Sequence, residues 1–345
     1  MKILLISLFA YISINGIASA EIRNIDVGLD YFSDRLDIIN YLDQIKSSSQ
    51  PKSLRRHHIG YRHYYGFWGW SIRYTKEQGK VDRSEEPYLL TNNIDIFGIS
   101  LFKTSRDHKH SLEAKFRYTK QSPIILDCIS RETILLGGNC DNADFKLLDG
   151  IVYQATGERK YLPVLTTQAR SNMIGLQYSY KIHLNRAIVK MSTGVDFYHI
   201  RHHSQSPLFD ITSDFLLKSE IKGRTLQNVI EEIQVELPQS EPWHEAVTSV
   251  QLEVDYPILS GIGLFSTGIM YSEKFGYDGT QKFKVNHFAQ LGYQQILSKH
   301  ARVKLLGTIY RHYLQGVEPL LYTPKTSRFF EHPYGELSLQ FTVNF

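Results

Sequence analysis

The sequence predicts an all-β protein, an up-and-down antiparallel transmembrane β-barrel of twelve strands, with ten as the alternative count. Two observations predict this fold. Apolar and polar residues alternate with a period of two in one segment after another, as they do in strands with one apolar and one polar face. Short and long connections also alternate from residue 94 to the end. Such sorting is typical of short periplasmic turns at one end of a barrel and long extracellular loops at the other.

The last strand shows the alternation most clearly. Its apolar residues are separated by single polar ones, and they are Leu337, Leu339, Phe341, Val343 and Phe345. This segment, with its final aromatic residue, resembles the closing strand of Gram-negative outer-membrane β-barrel proteins in general, and no specific family is indicated. The resemblance implies that the segment is a signal for the barrel assembly machinery. It also implies that the protein lies in the outer membrane of a Gram-negative bacterium.

The amino end predicts export. A basic start is followed by an apolar stretch over 3–17 and by the small-residue pattern Ala18-Ser19-Ala20. Residues 1–20 therefore have the features of a cleaved secretory signal peptide, and residues 21–345 are expected to form a single barrel domain. No run of 18 apolar residues follows the signal, which argues against a helical membrane protein.

The strand count depends on the amino-terminal third. The stretch 57–76 is too long for one crossing, and we expect it to break at Tyr65-Gly66. The alternation over 25–31 adds a first strand, which brings the total to twelve. If 21–56 is instead a periplasmic segment or plug and 57–76 is one bent strand, the total is ten. The other predicted strands are 94–104, 111–119, 173–184, 187–199, 246–257, 262–272, 282–296 and 302–313.

The longest connections have patterns of their own. Residues 34–48 are compatible with a short amphipathic helix. The connections 120–171 and 200–245 contain strand-like pieces, which are expected to extend the barrel above the membrane or to fold over its mouth. These pieces are 147–153, 161–168 and 207–217.

Charged residues on the polar phase of the strands are the first candidates for a functional site. In a pore they would select solutes by charge. In a narrow barrel they would instead form ion pairs that fill the interior. Basic residues outnumber acidic ones, so a pore is expected to prefer anions mildly. The candidates are Arg73, Lys115, Arg117, Lys181, Lys190, Asp196, Glu253, Asp255, Lys284, Lys304 and Glu336.

Two smaller groups of residues are further candidate sites. Cys128 and Cys140 lie in one long connection, and in an exported protein they are expected to form a disulfide worth about 3 kcal/mol. His199, His202 and His203 form an incomplete metal site, because imidazoles bind zinc or copper but no cysteine or paired carboxylate completes the set. We therefore expect no bound metal and no cofactor.

The overall composition favours a membrane barrel over a nucleic-acid-binding protein. The net charge is only +4 and no basic stripe is present. The favoured function is a narrow porin-like channel for small solutes, exposed at the cell surface among outer-membrane lipids and lipopolysaccharide. The alternatives are a barrel-embedded hydrolase acting on lipid or lipopolysaccharide, and a surface adhesin that uses its long loops. An enzyme is less favoured, since the chain has no Asp-x-Asp or Asp-x-His pair of the kind found in omptin-like proteases.

The closing-strand interpretation predicts a defect in assembly when the last residue is removed. Deletion of Phe345 should slow barrel assembly, because the terminal aromatic residue is part of the expected recognition signal. The yield of folded protein and its heat-modifiable mobility on gels measure this effect. Normal yield and normal mobility would contradict the interpretation.

Overall fold

The protein is an up-and-down antiparallel barrel in which each strand pairs with its neighbours in sequence and the first pairs with the last. The computed structural model describes residues 21–33, 49–83, 86–127, 150, 153–154, 157, 163–205, 207–218, 220–221, 223–228, 230–231, 242–258, 262–275, 285–311 and 334–345. The strands of the wall are β1 Glu21–Ser33, β2 Ser49–Tyr65, β3 Trp68–Arg83, β4 Glu86–Thr104, β5 His110–Gln121, β6 Pro163–Leu184, β7 Ala187–Gln205, β8 Trp243–Ile258, β9 Gly263–Phe275, β10 Val285–Ser298, β11 Ala301–Tyr310 and β12 Tyr334–Asn344.

The wall has twelve strands, as the sequence predicted. A further segment, Ile124–Asp127, continues β5 along the edge of β6 and adds no new position around the barrel. The alternative of ten strands is wrong. β1 is part of the wall, and the stretch 57–76 is divided between β2 and β3 by a turn at Gly66 and Phe67.

The short turns lie at the end of the barrel where β1 begins and β12 ends. Gly66 has φ +59°, a left-handed conformation that glycine adopts without the steric cost of a Cβ atom. Asn185 has φ +52° in the β6–β7 turn. In the β4–β5 turn, Asp107 accepts hydrogen bonds from the Ser105 hydroxyl and from the Lys109 N–H group. These bonds, that from Ser105 above all, lower the pKa of Asp107.

Several strands extend far beyond the length that crosses a bilayer. About ten residues suffice for a crossing, whereas β6 has 22 residues and β4 and β7 have 19 each. The predicted strand-like piece 161–168 is described from Pro163 and belongs to β6. The predicted piece 207–217 is wrong as a strand, because it forms a 3-10 helix, Pro207–Asp210, and a helical turn, Asp214–Leu217.

Little regular structure lies outside the wall among the described residues. Two-residue strands, Glu220–Ile221 and Arg224–Thr225, pair with each other in the β7–β8 connection. No helix in the described part of the chain is both long enough and apolar enough to cross a membrane. The expected signal peptide over 1–20, the amphipathic segment 34–48 and most of the piece 147–153 lie outside the described residues.

The outer face of the wall is apolar and exposed. Trp68 on β3, Ile174 on β6 and Phe197 on β7 leave 56%, 65% and 58% of their surface exposed. Polar residues at the intervening positions, such as Ser179 and Ser192, are buried on the inner face, where their hydroxyl groups hydrogen-bond at 2.9 Å. Exposed apolar and buried polar residues are the reverse of a water-soluble fold, and they indicate that lipid surrounds the wall.

The assignment of faces predicts different effects of substitution at two adjacent positions of β8. Leu252→Arg places a charge on the outer face in mid-strand, and should cost about 2–4 kcal/mol of unfolding free energy in a bilayer. Glu253→Gln changes the inner face, where a neutral amide retains part of the hydrogen bonding, and should cost less. Urea unfolding in lipid vesicles measures both variants. Equal losses would contradict the assignment.

Candidate functional site: the polar lumen

A network of charged side chains lies on the inner face where the first and last strands meet. We call it the seam cluster, and its members are Asp30, Arg56, Glu77, Glu336 and Ser338. The guanidinium of Arg56 lies 3.1 Å from Glu77 Oε2, 3.8 Å from Asp30 Oδ2 and 3.9 Å from Glu336 Oε1. The hydroxyl of Ser338 donates to Asp30 Oδ1 at 2.5 Å. One cation on β2 thus bridges carboxylates on β1, β3 and β12.

Burial makes this cation necessary. The side chain of Glu77 has no exposed surface and that of Arg56 is 16% exposed. A carboxylate withdrawn from water is costly unless an opposite charge and hydrogen bonds replace its hydration. Arg56 supplies both to Glu77, through Nε at 3.2 Å and Nη2 at 3.1 Å. On the other side of the seam, the hydroxyl of Tyr310 donates to Glu336.

A second group continues the seam cluster toward the end of the barrel that carries the short turns. The ring of His58 lies 3.6 Å from Asp26 Oδ2 and 3.7 Å from Asp30 Oδ2. Arg73 on β3 reaches across β2 and donates to Asp26 Oδ2 at 2.9 Å. Gly60 makes this reach possible, because a Cβ atom there would lie 2.6 Å from the Asp26 carboxylate. The side chains therefore lie flat against the wall.

The opposite wall carries separate, smaller contacts. Lys115 on β5 donates to Gln177 on β6, and Arg117 Nη2 donates to the Tyr198 hydroxyl on β7 at 2.8 Å. Farther around, Lys190 on β7 lies 3.0 Å from Glu253 on β8.

Glu253 accepts a second hydrogen bond from across the next strand. Gln290 Nε2 on β10 lies 3.1 Å from Glu253 Oε1 on β8. Gly268 on the strand between them leaves the space, because a Cβ atom there would lie 2.8 Å from Gln290 Nε2. This pair and the Arg73–Asp26 pair share one arrangement, in which a glycine on the intervening strand leaves space for two side chains to meet along the wall.

The predicted lumenal charges are distributed unevenly over these contacts. Glu336 belongs to the seam cluster and Arg73 to the group beside it, Lys190 and Glu253 pair with each other, and Lys115 and Arg117 donate to Gln177 and Tyr198. Lys284 lies outside the described residues. The remaining candidates lie at inner-face positions of their strands, without an ion pair to another described residue, and they are Lys181, Asp196, Asp255 and Lys304.

Most residues of the seam cluster and of the group beside it were not predicted from the sequence. Asp26 and Asp30 follow the polar phase of β1, so alternation alone was a usable signal for them. Arg56 and His58 had no such signal, because the outward-facing residues beside them, Arg55 and His57, are polar as well. The role of Glu77 depends on Arg56, 21 residues away, and only the pairing of β2 with β3 brings the two together.

The histidine and cysteine groups remain without evidence for a role. The ring of His199 lies against that of His244, with centroids 4.7 Å apart and planes tilted by 35°, and its Nε2 accepts a hydrogen bond from Arg201 Nε at 2.9 Å. His203 is exposed, and the side chain of His202 is outside the described part. Among the described residues, no group of three or more His, Cys, Asp or Glu side chains is placed to hold a metal. Cys128 and Cys140 lie outside the described residues.

Apolar side chains line the inner face near the outer end of β6–β8. Met173, Tyr198, Ile200 and Val247 form a buried cluster there. The connection 207–231 leaves the wall at this end, and its 3-10 helix contacts β6. It has buried apolar residues of its own, namely Ile211, Leu216, Leu226 and Ile230. The 3-10 helix therefore packs against this end of the wall.

Solved structures resemble the fold of this chain, but their sequence identities and TM-scores are low. No protein-family model matches the chain, and no curated protein matches it. The β-domain of the Bordetella autotransporter BrkA is 7% identical with a TM-score of 0.47, over 94% of this chain and 99% of that one. A Pseudomonas aeruginosa FadL homologue is 11% identical with a TM-score of 0.45, over 94% and 90%.

A third solved structure gives a similar result. An outer-membrane channel of Pseudomonas putida is 10% identical with a TM-score of 0.42, over 96% of this chain and 98% of that one. Similarity at this level does not extend to function.

The seam cluster predicts a large loss of stability when its cation is removed. Arg56→Gln leaves Glu77 buried without a counter-charge and should cost about 3 kcal/mol of unfolding free energy. The double variant Arg56→Gln/Glu77→Gln should recover part of this loss, since no charge is then left unpaired.

Lys190→Gln is the matched control. It removes a cation from the Glu253 pair, which is 31% and 24% exposed, and should cost about 1 kcal/mol or less. Urea unfolding in vesicles compares the three variants. Similar costs for Arg56→Gln and Lys190→Gln would mean that burial does not distinguish the two pairs.

Proposed function

We propose that the protein is an outer-membrane channel that lets small polar solutes pass through its lumen. One observation carries the proposal. The inner face is polar, and its side-chain contacts join strands that are adjacent or separated by one strand in the wall. Examples are Arg73 with Asp26 and Gln290 with Glu253. The charged groups therefore lie along the wall and leave the axis of the barrel free of these contacts.

The dimensions of the wall leave room for a solute. Twelve strands that are about 4.8 Å apart and tilted by about 40° close at a backbone radius of about 12 Å. Side chains that reach about 6 Å inward leave a path of about 12 Å across. The apolar cluster around Ile200 occupies part of the inner face near the outer end of this path. The path suits small solutes rather than folded proteins.

The charges of the lumen support weak rather than strong ion selectivity. The predicted set had an excess of Lys and Arg, but the described inner face adds residues of both signs. With them, acidic and basic groups are nearly balanced among the described lumenal positions. The added residues are Asp26, Asp30, Glu77, Glu113 and Glu245, together with Arg56, Arg62, Lys274 and Arg302. We therefore expect a smaller anion preference than the sequence alone suggested.

Conductance in planar lipid bilayers tests the proposal. The purified full-length protein should give stable unitary steps that increase in proportion to salt concentration, with a reversal potential near zero in a salt gradient. A folded protein, verified by heat-modifiable mobility, that gives no steps would overturn the channel function. Strong cation or anion selectivity would contradict the expected charge balance but not the channel function.

Substituted cysteines locate the conducting path. In a Cys128→Ser/Cys140→Ser background, Lys181→Cys places a thiol on the inner face of β6, and Leu176→Cys places one on its outer face. A methanethiosulfonate reagent added during recording should reduce the conductance of the Lys181 variant and leave that of the Leu176 variant unchanged. Unchanged conductance in both variants, with labelling verified by mass, would place the path outside the lumen.

A further inference from the structure

Three cations lie side by side on the outer face of the barrel, toward the end with the long connections. Lys120 on β5 is the register partner of Arg170 on β6, and Arg170 is the register partner of Arg201 on β7. All three side chains are exposed. Strands are about 4.8 Å apart, so this cation row covers about 10 Å of the outer face.

The cation row and an apolar surface lie on the same outer face, with one mixed layer between them. On the same face, two residues along each strand, the register places Tyr118, Asn172 and His199. Two residues farther along, it places Phe116, Ile174 and Phe197, which are exposed apolar residues. This order of layers, from apolar through mixed aromatic and polar to cationic, corresponds to the change from hydrocarbon to headgroup at a membrane surface.

The three cations of the row outnumber the carboxylates beside them on the described outer face. Like charges at directly paired positions of neighbouring strands repel each other. Asp95 on β4 is the register partner of Lys120, and it accepts a hydrogen bond from the Tyr74 hydroxyl at 2.7 Å. Arg201 donates to His199, and none of the ion pairs within the described part of the chain includes Lys120, Arg170 or Arg201. An anion from outside the chain would relieve the repulsion.

We propose that the cation row binds the phosphate groups of an acylated lipid whose chains lie against Phe116, Ile174 and Phe197. Arginine forms paired hydrogen bonds with phosphate oxygens, and three cations within about 10 Å suit a headgroup with more than one phosphate. The apolar layer next to the row accepts the acyl chains of the same molecule. This inference rests on the placement of the barrel in a membrane and is independent of conduction through the lumen.

Lipid-dependent protection against heat unfolding tests the site. The full-length protein in uncharged detergent is titrated with bisphosphorylated lipid A, and its unfolding midpoint is followed by heat-modifiable mobility. The variant Lys120→Gln/Arg170→Gln/Arg201→Gln should need on the order of a hundredfold more lipid for half-maximal protection, since each cation beside an anionic lipid contributes about fivefold. The charge-preserving variant Arg170→Lys/Arg201→Lys should retain most of the protection.

The matched control removes three cations at the other end of the barrel. Lys109, Arg186 and Lys299 lie exposed in the short turns, and changing all three to Gln should leave the titration unchanged. If the triple variant of the row does not fold, Arg170→Gln alone should shift half-protection about fivefold.

Three outcomes would overturn the proposal. The first is equal protection of the wild type and the row variant by lipid A. The second is equal protection of the wild type by dephosphorylated lipid, which would mean that the phosphates are not recognised. The third is equal protection by inorganic phosphate at the same concentration, which would assign the row to a free anion. All three can be observed whether or not the protein conducts ions.

Discussion

Closure of the sheet between β1 and β12 is the constraint on which the rest of the structure depends. Backbone N–H and C=O groups in the hydrocarbon layer cannot hydrogen-bond to water. A sheet is therefore stable there only if it has no unpaired edge. The register runs from Asn24 opposite Asn344 to Ser33 opposite Gly335, and the terminal Phe345 still exchanges backbone hydrogen bonds with Arg23. This ring fixes the positions at which side chains face inward.

The seam cluster depends directly on that closure. Ser338 bonds to Asp30, and Glu336 lies near Arg56, only because β12 is placed beside β1. The same strands carry apolar residues outward and charged residues inward, so a single sheet separates an apolar environment from a polar one. The glycines along the inner face, such as Gly60 and Gly268, let charged side chains of neighbouring strands meet close to the wall.

Alternation made the wall predictable from the sequence, and it failed where both faces are polar. The last strand could be assigned residue by residue because lipid touches one face and polar groups the other. At the outer half of β2 both Arg55 and Arg56 are charged, so the sequence did not show which of them faces inward. The piece 207–217 was wrongly predicted as a strand, because helical turns of four residues are too short to show a period of 3.6. Pairs such as Arg56 with Glu77 depend on strand register, which alternation alone does not provide.

The seam also sets an order on biogenesis. The hydrogen bond between Asp30 and Ser338 joins residues 308 positions apart, so the segment between them must be present before it forms. Until then β1 has one unpaired edge, and such an edge is open to pairing with other chains. The edge of β1 therefore stays open to such pairing until β12 is in place, and the time during which it is at risk of aggregation is set by how late the last strand joins the wall.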